Sequence, residues 1–153
     1  MKILITGSEG QLGRVLNLTK PTNNNYLFCN KKIMDITNSS NCKNIINKFK
    51  PDWIINCAAY TAVDNAEDHP ENAFLVNSYG PKLICEETEK YGTRLLHISS
   101  DFVFNGENNS PYQTDHKVDP LSIYGKSKAE GEKYILKFPG NIIIRTGWLY
   151  GDK

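Results

Sequence analysis

The protein has 153 residues, enough to bury the apolar core of one domain. Its 18 Lys and Arg residues nearly balance 17 Asp and Glu residues, and no segment combines positive charge with aromatic residues, so we expect no nucleic-acid partner. The apolar run that opens the chain stops at Gly7, too short for a signal peptide, and no later run could span a bilayer, so we expect a cytoplasmic protein without membrane contacts.

Short apolar runs alternate along the chain with stretches of helical spacing. The apolar runs are rich in β-branched and aromatic residues, and they predict strands at Lys2 to Thr6, Tyr26 to Cys29, Trp53 to Cys57, Arg94 to Ile98 and Asn141 to Arg145. Ile33-Met34 is a candidate for a further short strand. Helices are predicted at Gln11 to Leu18, Ser40 to Phe49, Glu71 to Lys90 and Leu121 to Lys137. Because proline lacks an N–H group, Gly80-Pro81 predicts a kink or a new helix within the third of them.

This alternation of strand and helix predicts an α/β fold. Strands that are apolar on both sides are typical of a parallel sheet, and right-handed crossovers cover such a sheet with helices on both faces. No repeat, linker or low-complexity tract divides the chain. We therefore expect one Rossmann-type, doubly wound domain over residues 1–153.

Three glycines follow the first predicted strand and lead into the first helix. Gly7, Gly10 and Gly13 form a G-x-x-G-x-x-G turn, which lets the backbone turn tightly and approach a pyrophosphate closely. The N-terminus of the following helix attracts phosphate groups. An ordinary strand-to-helix turn is the alternative, but the position on the first strand of a βαβ unit favours dinucleotide binding.

The end of the second predicted strand lacks the acidic residue that usually holds the ribose hydroxyls of NAD. Asn30, Lys31 and Lys32 follow it instead, and the two lysines could meet the 2′-phosphate of NADP. This favours NADPH and leaves NADH open, although two lysines on a loop are also common on a solvated surface. Asp35 is the expected polar contact to the adenine.

Tyr124 and Lys128 lie four residues apart on the last predicted helix, so both side chains project from one face. A tyrosine is a poor acid at neutral pH, but a nearby lysine cation stabilises the phenolate. A pair on a helix surface is the alternative. Ser99-Ser100 ends one strand, and the small residues of Asn56 to Tyr60 end another, at the edge where parallel sheets bind ligands.

The cysteines and histidines do not point to a metal site. Cys29, Cys42, Cys57 and Cys85 are widely spaced without a C-x-x-C motif, so we expect reduced packing residues. The sequence has no G-x-S-x-G motif, which argues against a hydrolase built on its three histidines.

Together these motifs resemble the dTDP-4-dehydrorhamnose reductases, a family of extended short-chain dehydrogenases/reductases that modify nucleotide sugars. The similarity covers nearly the whole chain. It rests on Thr6 to Gly13, Pro51-Asp52, Asn56 to Asp64, Asn77, His97 to Gly106, Pro120 to Lys128, and Arg145 to Gly151.

The resemblance implies roles for individual residues. Tyr124 would donate a proton, Lys128 would lower the pKa of Tyr124 and hold the nicotinamide ribose, and Ser100 would orient the keto group in place of the family's usual threonine. Substrate contacts are expected from Ser100, Asp101, Phe102 and Trp148. Cofactor contacts are expected from Gly7, Gly10, Gln11, Leu12, Gly13, Asp35, Ile36, Cys57, Ala58, Ala59, Tyr60, Asn77, Tyr124 and Lys128.

The implied reaction is NAD(P)H-dependent reduction of the C4 ketone of dTDP-4-dehydro-6-deoxy-L-mannose to dTDP-L-rhamnose. Related 4,6-dehydratases commonly carry an Asp-Glu pair after the strand-end hydroxyl, whereas Asp101 is followed here by Phe102, so a reductase fits better.

Family members continue beyond the position of Lys153, so we expect this chain to lack most of the C-terminal substrate subdomain. A homodimer or a second chain could then complete the site. Two alternatives stay open: a non-catalytic nucleotide-binding or regulatory module, and a reductase or epimerase of a UDP-linked sugar.

Overall fold

The computed structural model of the protein describes residues 1–151, so Asp152 and Lys153, the end of the predicted domain, lie outside the described residues. Five strands form one parallel sheet in the order β2-β1-β3-β4-β5. Their bounds are Lys2–Thr6 for β1, Asn25–Cys29 for β2, Trp53–Asn56 for β3, Arg94–Ser100 for β4 and Ile142–Thr146 for β5.

All five main strand predictions are confirmed, with shifts of one or two residues at their ends. The short strand expected at Ile33-Met34 is wrong. Both residues follow Asn30 in a turn, where their N–H groups donate to the Asn30 carbonyl at 3.1 and 2.9 Å. Met34 is buried in the core, so its apolar character reflects packing of the turn and not a strand.

Six α-helices connect and cover the strands. They are α1 Gln11–Thr19, α2 Ser39–Phe49, α3 Val63–Asp68, α4 Pro70–Phe74, α5 Gly80–Tyr91 and α6 Ile123–Ile135. The helix predicted over Glu71 to Lys90 is interrupted by a π-helical turn, Leu75–Tyr79, and α5 begins at Gly80 with Pro81 in its first turn, as expected for a new helix. No helix among residues 1–151 is both long and apolar enough to cross a membrane.

The strand order reverses at β1, because the chain moves outward from β1 to β2 and then returns past β1 to β3. Right-handed crossovers in opposite directions place helices on opposite faces of a sheet. The main core lies on one face, where Leu4, Ile54 and Leu95 stand side by side on β1, β3 and β4. Helices α2, α5 and α6 cover these residues with Ile46, Ile84 and Ile135.

Helix α6 packs tightly on the π-helical turn through Gly131. A Cβ atom at Gly131 would overlap the carbonyl oxygen of Asn77, so only glycine lets the two backbones approach this closely. The contact fixes how closely α6 packs on the π-helical turn, and α6 carries both Tyr124 and Lys128.

We predict that Gly131→Ala destabilises the protein, although alanine normally favours a helix over glycine. Forcing a methyl group into this packed contact should lower the free energy of unfolding by about 1–3 kcal/mol. Urea unfolding monitored by circular dichroism measures the change. Lys126→Ala, at an exposed position of the same helix, is the control and should stay within about 0.5 kcal/mol of the parent protein. A stabilised Gly131→Ala variant would contradict the proposed close contact.

Candidate functional site

Two adjoining cavities open at the carboxyl edge of the sheet, beyond the ends of β1 and β3. Their volumes are about 450 and 350 Å³, and both are lined by Gly10, Cys57 and Ala59. Open α/β sheets bind ligands at the point where the strand order reverses. The two cavities therefore form one elongated cleft, and small residues line it where the two cavities meet.

The glycine turn forms the floor of this cleft. Gly7 has a φ of +64°, and a Cβ atom there would lie 2.6 Å from the backbone nitrogen of Ala58. A Cβ atom at Gly13 would overlap the carbonyl oxygen of Gly7. Helix α1 begins directly after Gly10, and no side chain caps its N-terminus. The N–H groups of its first turn are therefore available to an anion. This cradle suits a pyrophosphate.

The smaller cavity is lined by Asp35, the predicted adenine contact, and by the predicted cofactor contacts Ile36, Ala58, Tyr60 and Gly7. The backbone N–H and the hydroxyl of Thr37 both donate to one carboxylate oxygen of Asp35, at 2.9 and 2.7 Å. Burial opposes ionisation, but these bonds and the charge of Lys31 keep the pKa of Asp35 below its usual value. Asp35 is therefore a fixed negative charge at the wall.

The structure separates the two lysines of the following loop. Both lysines are exposed, but only Lys31 lines the smaller cavity, together with Asn30 and Glu9. The side-chain amide of Asn30 donates to the Glu9 carboxylate at 2.6 Å. Only one of the two lysines is therefore placed to meet a ligand.

The larger cavity brings the predicted catalytic and substrate residues together. It is lined by Ser100, Asp101, Phe102, Tyr124, Lys128 and Trp148, and also by the predicted cofactor contacts Gln11, Leu12 and Gly13. Ser100 belongs to β4 and the next three residues form a short 3₁₀ turn, capped by the Ser100 hydroxyl, which accepts from the Phe102 N–H at 3.2 Å. Trp148 is 81% exposed at the mouth.

Tyr124 lies in the first turn of α6, behind the helix cap Ser122. Its ring packs edge-on against Phe102 with the centroids 5.5 Å apart. Burial raises the pKa of Tyr124, the neighbouring Ser100 hydroxyl opposes that rise, and the charge of Asp101 adds to it. The shift arises from burial, Ser100 and Asp101, so the expected lowering of this pKa by Lys128 stays a prediction.

Lys128 is buried, with only 1% of its surface exposed. Its Nζ donates to the carbonyl oxygen of Ile98 at 2.7 Å and lies 3.3 Å from Nε2 of His97. Burial lowers the pKa of Lys128 to about 8, although the charge of Glu132 opposes the fall. A group with a pKa this close to neutral, in a cleft, is typical of a functional site.

Asn77, an expected cofactor contact, is not among the residues that line the two cavities. Its buried amide instead accepts from the backbone N–H of Tyr60, donates to the Tyr60 carbonyl and donates to the hydroxyl of Ser127, at 2.9, 2.9 and 3.0 Å. Asn77 therefore fixes the cleft wall to α6. An Asn that fixes a wall and an Asn that meets a ligand look alike in a sequence, so the cofactor contact of Asn77 stays a prediction.

A buried ion pair fixes the far end of α6. Arg145 on β5 donates to both carboxylate oxygens of Glu132, with the shortest distance 2.7 Å, and its guanidinium lies over the Phe104 ring. The Glu132 side chain is 2% exposed. Arg145 also donates to the carbonyl of Thr114, so one side chain ties together β5, α6 and the loop after β4.

The motifs did not identify Thr6 or His97 as site residues, although both are polar and fully buried, Thr6 at the end of β1 and His97 in the middle of β4. It also missed Thr61 and Val63, which line the larger cavity near the start of α3. No group of three or more potential metal ligands occurs within residues 1–151.

Comparison with known proteins agrees with this geometry. The family model described as RmlD substrate binding domain matches residues 1–153. The chain belongs to this family. A dTDP-4-dehydrorhamnose reductase of Aggregatibacter actinomycetemcomitans is 42% identical over 99% of the chain and 52% of that relative.

Solved structures of the same family superpose closely. A dTDP-4-dehydrorhamnose reductase from Clostridium acetobutylicum has a TM-score of 0.95 and 41% identity, over 100% of this chain and 55% of that one. One from Bacillus anthracis, in complex with NADP, has a TM-score of 0.96 and 36% identity, over 99% and 55%. The chain thus spans about half the length of the family members it matches.

We predict that Arg145→Met lowers the free energy of unfolding by about 3–5 kcal/mol, because it leaves the Glu132 carboxylate buried without its partner. The matched control is Lys133→Met on the same helix, which breaks an exposed ion pair with Glu130 at 2.7 Å and should change stability by about 1 kcal/mol or less. Chemical unfolding of both variants checks this. Equal losses would show that Arg145 contributes no more than a surface charge.

Proposed function

We propose that this chain supplies the cofactor cradle and the proton donor of a reductase in nucleotide-sugar biosynthesis. The reaction is NADPH-dependent reduction of the C4 ketone of dTDP-4-dehydro-6-deoxy-L-mannose to dTDP-L-rhamnose. One observation carries the proposal: Ser100, Tyr124 and Lys128 line one cavity that continues, past Gly10 and Ala59, into a second cavity beside the glycine turn.

The residues of the cleft fit a dinucleotide. The glycine turn and the open N-terminus of α1 suit the pyrophosphate, and Asp35 and Ile36 suit the adenosine half. The relative from Bacillus anthracis was crystallised with NADP. When bound, the nicotinamide supplies the hydride.

Side chains of this protein then supply the proton and stabilise the charge that remains. The hydroxyl of Tyr124 gives its proton to the oxygen at C4 as that oxygen gains negative charge. Ser100 orients the same oxygen with a hydrogen bond. The ammonium of Lys128, buried one helical turn from Tyr124, stabilises the phenolate that remains.

Asp101 and Phe102 favour reduction over dehydration. Asp101 accepts a hydrogen bond from the Ser100 hydroxyl at 3.1 Å, and Phe102 packs on the Tyr124 ring. A second carboxylate at position 102 would be needed for the Asp-Glu pair of the dehydratases. An apolar ring stands there instead, against the proton donor.

A second candidate is a nucleotide-binding module without turnover. It is favoured by the open mouth of the larger cavity, where Trp148 and Asp101 are exposed. In this case a nucleotide-linked deoxyhexose would bind only with a second copy or another chain. The four cysteines are free, three of them buried and Cys57 partly buried, which suits the cytoplasm, where we place the protein.

We expect Tyr124→Phe to bind NADPH with an affinity close to that of the parent protein but to lower turnover by about 10²–10⁴-fold, because only the proton donor is lost. Cofactor binding is measured by nicotinamide fluorescence, and turnover by loss of nicotinamide absorbance with the dTDP-linked ketone or a UDP-linked analogue. Tight binding with no turnover in the parent protein would support the second candidate. Equal turnover of both proteins would rule out Tyr124 as the donor.

The cofactor preference is tested with the two neighbouring lysines. Because Lys31 lines the cavity and Lys32 does not, Lys31→Ala should weaken NADPH binding by about tenfold, the loss of one charged contact, and leave NADH binding unchanged. Lys32→Ala is the matched control and should affect neither cofactor. If the two variants behave alike, the 2′-phosphate is not recognised by this loop.

A further inference from the structure

A row of buried polar side chains runs across three strands toward Lys128. Thr6, Asn56 and His97 are paired in register on β1, β3 and β4, and each is fully buried. The Thr6 hydroxyl lies 2.6 Å from Oδ1 of Asn56, and Nδ2 of Asn56 lies 2.9 Å from Nδ1 of His97. The row ends at Lys128, whose Nζ lies 3.3 Å from Nε2 of His97.

The charge on Lys128 restricts the proton on His97. An ammonium group has only donors, so a charged Lys128 requires a lone pair on Nε2 of His97 and therefore a proton on Nδ1. A neutral amine has a lone pair, so it can accept from a proton on Nε2. The ring stays neutral in both cases, because burial and the charge of Lys128 keep the pKa of His97 well below its usual value.

Asn56 can serve both arrangements. With its amide nitrogen toward His97, it donates to a bare Nδ1 and accepts from the hydroxyl of Thr6, and this matches a neutral Lys128. Turned by half a rotation, its carbonyl accepts from a protonated Nδ1 and its nitrogen donates to the hydroxyl of Thr6. Buried polar groups strongly favour the paired arrangement, so the amide should follow the tautomer.

We propose that His97 is a positioning residue for Lys128, and that its neutral ring changes tautomer, from Nδ1–H to Nε2–H, when Lys128 loses its charge. The ring holds one proton in both states, and the proton gained or lost by Lys128 is exchanged with solvent. The imidazole thus keeps a hydrogen bond to Lys128 in either state. If the proposed function holds, the catalytic lysine can change charge and still keep its hydrogen bond to His97.

The ionisable and charged groups around Lys128 come from every element packed on it. Glu132 raises the pKa of Lys128 and is itself held by Arg145 of β5. The thiol of Cys57, after β3, keeps a high pKa, about 12, because it is buried, so it stays neutral through the range of interest. The remaining groups nearby are Tyr124 on α6, Asp101 beside Tyr124, and His97 itself.

The test is a pH titration of the protein without any ligand, so its outcome is independent of the proposed enzymatic activity. Long-range proton–nitrogen NMR spectra of histidine-labelled protein distinguish the two tautomers and the imidazolium. His97→Gln assigns the His97 signals against those of His69 and His116. We expect Nδ1–H at low pH and Nε2–H at high pH, with a midpoint near the pKa of Lys128, about 8.

One tautomer throughout the titration, or an imidazolium ring, would overturn the proposal. In Lys128→Met the tautomer should no longer change with pH. Lys126→Met, an exposed lysine of the same helix, should keep the change. The wild-type titration decides the question even if Lys128→Met does not fold.

Two variants at position 97 separate positioning from packing. The carbonyl oxygen of a Gln side chain can accept from Lys128, whereas Leu offers no acceptor. The pKa of Lys128, read from its side-chain nitrogen signal, should fall by about one pH unit in His97→Leu and stay near the parent value in His97→Gln. Equal falls in both variants would mean that His97 only fills space.

Discussion

The parallel register of β1, β3 and β4 is the constraint on which the site depends. It aligns Leu4, Ile54 and Leu95 in one apolar row, and two residues further it aligns Thr6, Asn56 and His97 in one polar row. The first row packs against the helices, and the second row leads to Lys128, which lines the cleft. Because side chains alternate between faces, a slip of one residue in any of these strands would separate both rows at once.

Contacts of different kinds hold helix α6 over this polar row. Gly131 lies against the backbone of the π-helical turn, Arg145 holds Glu132, and Lys128 reaches between the strands to the Ile98 carbonyl. Each contact joins α6 to a segment distant in sequence. The position of Tyr124, at the start of the helix, therefore depends on contacts along the whole of α6. Its immediate neighbours act locally: Phe102 packs against its ring, and Ser122 caps the helix.

Much of this structure could be predicted from the sequence, because strands and helices leave periodic patterns and the glycine turn has a fixed spacing. The carboxyl-edge location of Ser100, Tyr124 and Lys128 followed from the same patterns. What could not be predicted depends on pairs far apart in sequence. The contact of His97 with Lys128 requires the packing of α6 on β4, and the buried amide of Asn77 is indistinguishable, in sequence, from one that meets a ligand. Helix α3 has only six residues, too few to show a helical period in the sequence.

The burial of Lys128 also has a consequence for how such a protein can change. A pKa lowered from 10.5 to about 8 corresponds to about 3 kcal/mol against the charged form in the folded state. A methionine of similar length would remove this cost, but it would leave the Ile98 carbonyl and the His97 ring without their partner. A lysine at this position therefore marks a compromise in which the domain carries the cost of burying a cation to keep a charge at its cleft.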